Sequence, residues 1–130
     1  MVNYLPATPT VNIDSGSETS FTASLDTYYI IDTASAAVTV TLPVGADSDG
    51  HWVIIQNSPA GGYQVGGTVA GNSITIQSQS SEDITTTGTT SESLGPPTST
   101  VTAACRRYFP TGANSGTGSG QAGITGWDTN

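Results

Sequence analysis

The chain has 130 residues, enough for one domain, and a net charge of −8 with Arg106 and Arg107 as its two basic residues. Two cations cannot neutralise the row of phosphates on which nucleic-acid affinity depends, nor form a polybasic membrane patch, so we expect neither nucleic acid nor a membrane as a partner. Leu, Ile, Val and Phe make up 24 of the 130 residues, a small core, so we expect neighbouring subunits to complete the packing.

The first 20 residues are predicted to form an extended N-terminal arm, residues 1–20, which contains Pro6 and Pro9. This segment lacks the basic start and the apolar stretch of a signal peptide. No apolar run in the sequence reaches the roughly 18 residues that read as a membrane span. We therefore expect the protein to be made as a soluble product in the cytoplasm.

Residues 21–109 are predicted to form an all-β domain, because apolar residues alternate with Thr and Ser and no sustained helical period occurs. The continuous apolar runs 28–31 and 52–55 are typical of strands buried on both faces. We expect one set of residues to pack in the core or between the subunits of a homotrimer: Val38, Val40, Leu42, Trp52, Ile54, Ile74 and Ile76.

Short turn signals separate these strands, among them Asp49-Gly50, Gly66-Gly67 and Gly71-Asn72. Strands joined by such turns form hairpins and meanders, so we predict an antiparallel sandwich, a barrel-like fold or a β-prism with extended terminal arms. Residues 110–130 form a Gly/Ser-rich C-terminal segment, which we expect the assembly to hold in place.

The polar segment before the second apolar run carries Asp47, Asp49 and His51, the single histidine of the chain. It begins like a calcium loop, but the twelfth position from Asp47, where an acidic ligand is needed, is Ser58. Gly50 after Asp49 instead favours a type I′ turn leading into a strand. The turn is the preferred interpretation, and a weak cation site is the alternative.

Catalytic motifs are scarce. One histidine is the single possible imidazole base, and the sequence has neither a G-x-S-x-G elbow nor a phosphate-binding glycine loop with its lysine. We therefore expect no enzyme activity, no metal and no cofactor. Cys105 is the one cysteine, which excludes an intrachain disulfide, and we predict that it is a small buried hydrophobe.

The segment around the two arginines is a candidate interface. Arg106 and Arg107 could pair with carboxylates of an adjacent subunit or of their own chain. Nearby aromatic residues could stack on sugars, but such residues more often anchor a core or an interface. The interface candidates are Arg106, Arg107, Tyr108, Phe109 and Trp127.

The stretch AVTVTLPVGADSDGHWVIIQNS, followed by a Gly-rich turn, GNSITIQ and then Ile84, resembles a module of tailed-bacteriophage virion proteins. Such modules occur in tail fibres, tail spikes, head fibres and capsid decoration proteins. The resemblance covers about residues 28–84, with Gly126-Trp127 as a further match. The matching positions are Val38, Val40, Leu42, Pro43, Asp49, Gly50, Val53, Ile55, Asn57, Asn72, Ile74 and Ile76.

The resemblance implies a structural role, a β-rich homotrimer and a place on the virion surface. The sequence has neither repeats nor the heptads of a fibre shaft, so we expect a capsid decoration (cement) protein. Such a protein would bridge copies of the major capsid protein, and residues 1–20 could act as a clamping arm. The alternative is a knob of a tail fibre, head fibre or spike that binds host-surface glycans.

Overall fold

The structure is a computed structural model of the protein. It describes residues 9–43, 51–59, 71–79, 84, 89–97, 105–110 and 127–129. These residues form strands and connecting segments, and no helix, which confirms the prediction of an all-β chain. Among them, no helical stretch has the length and hydropathy needed to cross a membrane.

The strands belong to two sheets. Sheet A has the order β1-β3-β5-β8-β9, and sheet B has the order β2-β4-β6-β7. In chain order the strands are β1 (Thr10–Asp14), β2 (Ser20–Thr22), β3 (Thr27–Asp32), β4 (Val38–Thr41), β5 (Val53–Asn57), β6 (Ile74–Gln77), β7 (Ser91–Leu94), β8 (Cys105–Pro110) and β9 (Trp127–Thr129).

The first six strands alternate between the sheets and stack as coils. Each coil contributes one strand to sheet A and the next to sheet B, so the coils are β1 with β2, β3 with β4, and β5 with β6. Neighbouring strands from successive coils are parallel in both sheets. This is the connectivity of a short β-solenoid, in which each coil stacks on the previous one.

The last three strands close this stack with antiparallel pairs. β7 pairs with β6, β8 pairs with β5, and β9 pairs with β8, so both sheets are mixed. The prediction of antiparallel pairing is therefore wrong for the pairs that β1–β6 form with one another, which are all parallel. β4 and β5 lie in different sheets, so these two strands do not form a hairpin with each other. From β1 to β6, each strand lies in the sheet opposite to that of the strand before it.

The core lies between the two sheets and draws on both. Register places Val38 beside Ile74 and Val40 beside Ile76, which gives continuous apolar rows through the coils. The buried apolar side chains of the described residues form one cluster: Ile13, Ala23, Tyr29, Ile31, Val38, Val40, Leu42, Val53, Ile55, Ile74, Ile76, Ile84, Leu94 and Tyr108.

The two continuous apolar runs are not buried on both faces. Thr27, Tyr29 and Ile31 point into the core, whereas Tyr28 and Ile30 are half-buried on the opposite face. β5 follows the same alternation. Sheet A is covered on one side by sheet B, so its inner positions are sealed and its outer positions are only partly covered.

The boundaries of the β domain also differ from the prediction. β1, at 10–14, pairs in parallel with β3, so the range predicted as an extended arm contains a strand of sheet A. Residues 1–8 lie outside the described residues. At the other end, β9 belongs to the segment predicted to be held by the assembly, and here it pairs with β8 of the same chain.

Candidate functional site

The outer face of sheet A carries apolar side chains at positions that are usually polar. Register places Tyr28 beside Ile54, and Ile30 lies two residues further along β3 beside Gln56. Tyr28, Ile30 and Ile54 are each half-buried. We call these three residues the outer apolar patch. A one-sided sheet ordinarily alternates apolar inside with polar outside, so this patch departs from the pattern.

Polar groups border the outer apolar patch. The Tyr28 hydroxyl donates a hydrogen bond to Gln56 Oε1. Burial, and then the neighbouring Cys105, raise the pKa of the Tyr28 hydroxyl above its usual value. Cys105 is exposed, so the prediction of a buried cysteine is wrong. Its register partner is Gln56, at an outward position of β5, which directs the thiol away from the core.

His51 and Trp52 lie where the chain enters β5. His51 Nδ1 lies 2.7 Å from Asp26 Oδ2, and the Trp52 N–H donates to Asp26 Oδ1 at 3.2 Å. The Asp26 N–H in turn donates to the Trp52 carbonyl at 2.6 Å. Asp26 has a φ of +56°, the left-handed conformation that Asp tolerates better than most residues. The single histidine thus joins the start of β5 to the start of β3.

The predicted polar turn is only partly within the described residues. Asp47, Asp49 and Gly50 lie outside them, so the turn and its cation alternative stay predictions. Trp52 and Ile54 are predicted to lie in the core or in trimer packing. Ile54 is half-buried on the outer side of β5, and Trp52, directly before β5, is also half-buried. Val38, Val40, Leu42, Ile74 and Ile76 are fully covered within the single chain.

A cleft of about 320 Å³ adjoins the outer apolar patch at the carboxyl ends of β1 and β3. Asp14 and Asp32 stand side by side there, in register. Each carboxylate caps its own turn, because Asp14 Oδ1 accepts the Gly16 N–H at 2.8 Å and Asp32 Oδ1 accepts the Ala34 N–H at 2.9 Å. Ser58 completes the polar side of the cleft.

A polar cluster joins sheet B to sheet A at the closed end of the stack. Glu92 of β7 accepts a hydrogen bond from the Tyr108 hydroxyl. It also forms an ion pair with Arg106, whose Nη1 lies 2.7 Å from Glu92 Oε1. Burial, and then this hydrogen bond, raise the Tyr108 pKa above its usual value. The bond to Glu92 also raises the Arg106 pKa. We call Glu92, Arg106 and Tyr108 the inter-sheet cluster.

The inter-sheet cluster contains two of the predicted interface residues, Arg106 and Tyr108. Tyr108 is fully buried in the core of its own chain, which is the core alternative to an interface anchor. Arg106 pairs with a carboxylate of its own chain, the alternative to a pair across subunits. For the other candidates the structure describes the main chain: Arg107 pairs with Ile54, Phe109 with Asp128, and Trp127 with Pro110.

Sequence reasoning missed the role of a buried amide. Asn57 Oδ1 accepts the Thr33 hydroxyl at 2.7 Å, and its Nδ2 donates to the carbonyls of Asn72 and Leu94 at 2.9 and 3.0 Å. Asn72 closes the group by donating its side-chain N–H to the Thr33 carbonyl at 2.8 Å. The signal was present, since Asn57 continues the inward phase of Val53 and Ile55.

Within the described part of the chain, no three His, Cys, Asp or Glu side chains come close enough to hold a metal ion. Comparison with known proteins finds no matching family model, no matching curated protein and no matching solved structure. The candidate site that the described residues offer is the outer apolar patch with its polar border.

Proposed function

We propose that this protein is a non-enzymatic structural protein of a bacteriophage virion, a homotrimeric decoration (cement) protein that braces the shell by bridging copies of the major capsid protein. The virion placement is supported by the resemblance of residues 28–84 to virion surface modules. The self-assembly is supported by one observation above all, the outer apolar patch of Tyr28, Ile30 and Ile54.

The patch has the anatomy of a protein interface. Its centre is apolar, and Thr10, Asn12 and Gln56 border it in the same register rows. Specific interfaces combine an apolar centre with a polar rim in this way. Burying an isoleucine completely stabilises by about 1.5–3 kcal/mol, and Ile30 and Ile54 have realised only part of that in the single chain. Three copies of the patch around a threefold axis would cover them.

Light scattering of the purified protein tests this assembly. We expect the wild type to contain three chains or a multiple of three, and we expect Ile30→Thr/Ile54→Thr to lose that threefold association. Threonine keeps the β-branched shape that strands favour and removes the apolar surface. The matched control is Thr39→Ala/Thr75→Ala on the outer face of sheet B, which should leave the mass unchanged. A wild type that is monomeric at all concentrations would refute the trimer.

The virion role needs a separate test on particles. We expect labelled protein to lie in many copies on the capsid surface, and we expect capsids that lack it to break at lower temperature. Particles that lack the protein but keep full thermal stability would contradict the cement role.

A second function is favoured by one feature of the same surface. The Tyr28 hydroxyl contacts the Gln56 amide, and the half-buried Trp52 directly precedes β5, the strand of Ile54. Aromatic faces next to amides suit the binding of sugars, as in a host-recognition knob. Binding of the purified protein to a glycan array, lost on Tyr28→Ala and kept on Thr75→Ala, would favour the knob over the cement protein.

A further inference from the structure

The outer face of sheet B carries two rows of hydroxyl-bearing side chains. The register aligns the outward positions of its strands, so each row crosses β2, β4, β6 and β7. A single amide stands among the hydroxyl groups, that of Gln77. The first row is Ser20, Thr39, Thr75 and Ser93, and the second row is Thr22, Thr41, Gln77 and Ser91. We call these residues the hydroxyl face.

The hydroxyl face is accessible and uncharged. Thr39 and Thr41, on the interior strand β4, are half-buried, and the other members of both rows are exposed. The chain has ten acidic residues, but none of them belongs to either row. Val40 and Ile76, which stand between the rows, point into the core. The face therefore presents neutral polar groups to the outside.

The two rows have a regular geometry. Adjacent strands lie about 4.8 Å apart, and residues two apart on one strand are separated by about 6.6 Å. Threonine is stiff at χ1, so the ladder holds the threonine hydroxyl groups at defined positions. Gln77 Nε2 donates to Thr41 Oγ1 at 3.0 Å, a side-chain bond between neighbouring strands. Stacking and side-chain ladders favour a flat sheet, so the face is a planar lattice of groups that donate and accept hydrogen bonds.

The composition of the hydroxyl face selects the kind of ligand that fits it. The centres of protein interfaces are rich in apolar and aromatic residues, and nucleic acids require cations. The two rows contain none of these residue types. Sugar sites ordinarily include aromatic side chains, which the rows also lack. The best match is a neutral solid whose own hydrogen-bonding groups repeat in two directions.

We propose that the hydroxyl face binds ice, at the prism faces of hexagonal ice. Water oxygens on those faces repeat in two directions, at spacings similar to the strand separation and to two residue steps. Each hydroxyl group donates to one lattice water and accepts from another. A single such bond only replaces a bond to liquid water, but bonds held in one rigid array form together, so the whole face binds more strongly than its parts.

This binding is independent of the outer apolar patch and of the virion role. The patch lies on the outer face of sheet A, and the hydroxyl face lies on the outer face of sheet B. A trimer built on the patch would therefore carry its hydroxyl faces outward. Light scattering reports on the trimer and adsorption to ice reports on the hydroxyl face, so failure of one proposal is distinguishable from failure of the other.

Partition of the full chain into slowly growing ice tests the proposal. We expect the wild type to be enriched in the ice over serum albumin in the same solution. We expect Thr75→Tyr to fall to the albumin level, because the ring would stand above the rows and hold the lattice away. Tyrosine is favoured in strands, so this change keeps the fold. The control Ser17→Tyr, at an exposed turn residue, should keep the wild-type enrichment.

A second measurement uses the temperatures at which one ice crystal melts and grows. We expect the wild type to hold the growth temperature below the melting temperature, and Thr75→Tyr to abolish this gap. A wild type excluded from ice as fully as albumin would overturn the proposal. Equal enrichment of the wild type and Thr75→Tyr, with matching circular dichroism spectra, would overturn the assignment to this face. Binding to insoluble cellulose without enrichment in ice would point to a polysaccharide instead, and would also overturn the proposal.

Discussion

At the scale of single residues, the buried amide of Asn57 links several segments of the described structure. Asn57 is 1% exposed and uses its amide in three hydrogen bonds, to Thr33, Asn72 and Leu94. These partners belong to segments far apart in the sequence. A buried amide is costly without partners and specific with them, so Asn57 fixes how the connecting segments sit over the core.

Replacing the Asn57 side chain should show how much its amide contributes to the free energy of unfolding. Asn57→Ala removes the acceptor of the Thr33 hydroxyl and the donor to the carbonyls of Asn72 and Leu94, and we expect a loss of about 3 kcal/mol in the free energy of unfolding. Urea denaturation measures it. The control is Gln77→Ala on the exposed face of sheet B, which should change stability by less than about 0.5 kcal/mol. Equal effects of the two substitutions would show that the network contributes nothing specific.

Two glycines give a second matched pair. Gly71 has a φ of +136°, and a Cβ there would lie 2.7 Å from Pro59 Cβ. We expect Gly71→Ala to cost about 2 kcal/mol or more, because it combines backbone strain with a clash. A Cβ at Gly95 meets no atom within 4 Å, so Gly95→Ala should be neutral or slightly stabilising. Thermal melts of the two variants would show the reverse order if the Gly71 conformation were not required.

At the scale of elements, two adjacent residues of β5 lie on opposite faces of sheet A, one in the core and one on the outer face. Ile55 is fully buried between the sheets, whereas Ile54 is half-buried on the outer face. We expect Ile55→Ala to cost about 2–5 kcal/mol through lost burial and a residual cavity. Ile54→Ala should cost clearly less in the dissociated chain. Chemical denaturation of both variants below the assembly concentration compares them, and similar losses would contradict the one-sided burial of sheet A.

The sequence pattern was sufficient to place the inward rows but not the connections between them. Val38, Val40, Ile74 and Ile76 alternate with threonine, and this alternation marks their inward faces whatever their partners are. Pairing is decided by contacts far along the chain: the partner of Val38 is Ile74, not a residue of the next strand. Short polar turns are compatible both with a hairpin and with a change of sheet, so the turn residues alone do not determine which sheet the next strand joins.

The same limit applies to the candidate site. The runs 28–31 and 52–55 have no polar positions to mark an outside, so periodicity alone could not tell a strand buried twice from one with an apolar outer face. The scarcity of basic residues singles out Arg106 in the sequence, and Tyr108 is one of the aromatic residues near it. Their role depends on Glu92, which reaches them from the other sheet. That juxtaposition exists only in the fold.

At the scale of the whole molecule, the inter-sheet cluster ties sheet A to sheet B where the stack closes. Tyr108→Phe removes one hydrogen bond and leaves Glu92 paired with Arg106, so we expect a loss of about 1.5 kcal/mol near neutral pH. Because the folded chain raises the Tyr108 pKa above its ordinary value near 10, the tyrosine ionises more readily in the unfolded chain. Stability from this residue is therefore complete below about pH 10 and falls as pH rises further.

The alkaline slope is the distinguishing measurement. In a Cys105→Ser background, which removes the thiol beside Tyr28, we expect stability to fall with pH above about 10 more steeply with Tyr108 than with Phe at that position. The difference should approach 1.4 kcal/mol per pH unit, the value for one proton. Identical slopes for the two proteins would mean that the Tyr108 hydroxyl ionises as freely in the folded as in the unfolded chain.

The coil-by-coil ladder has a consequence for kinetics. Val38 and Ile74 are 36 positions apart, and Thr10 and Tyr28 are 18 apart, so loops must close before the ladders gain any bonds. Closing a loop costs entropy before the strands that it joins form any hydrogen bonds. β topologies dominated by distant contacts therefore refold in milliseconds to seconds. Stopped-flow tryptophan fluorescence should record refolding in that range, and a newly made chain would spend this interval with its apolar rows unprotected.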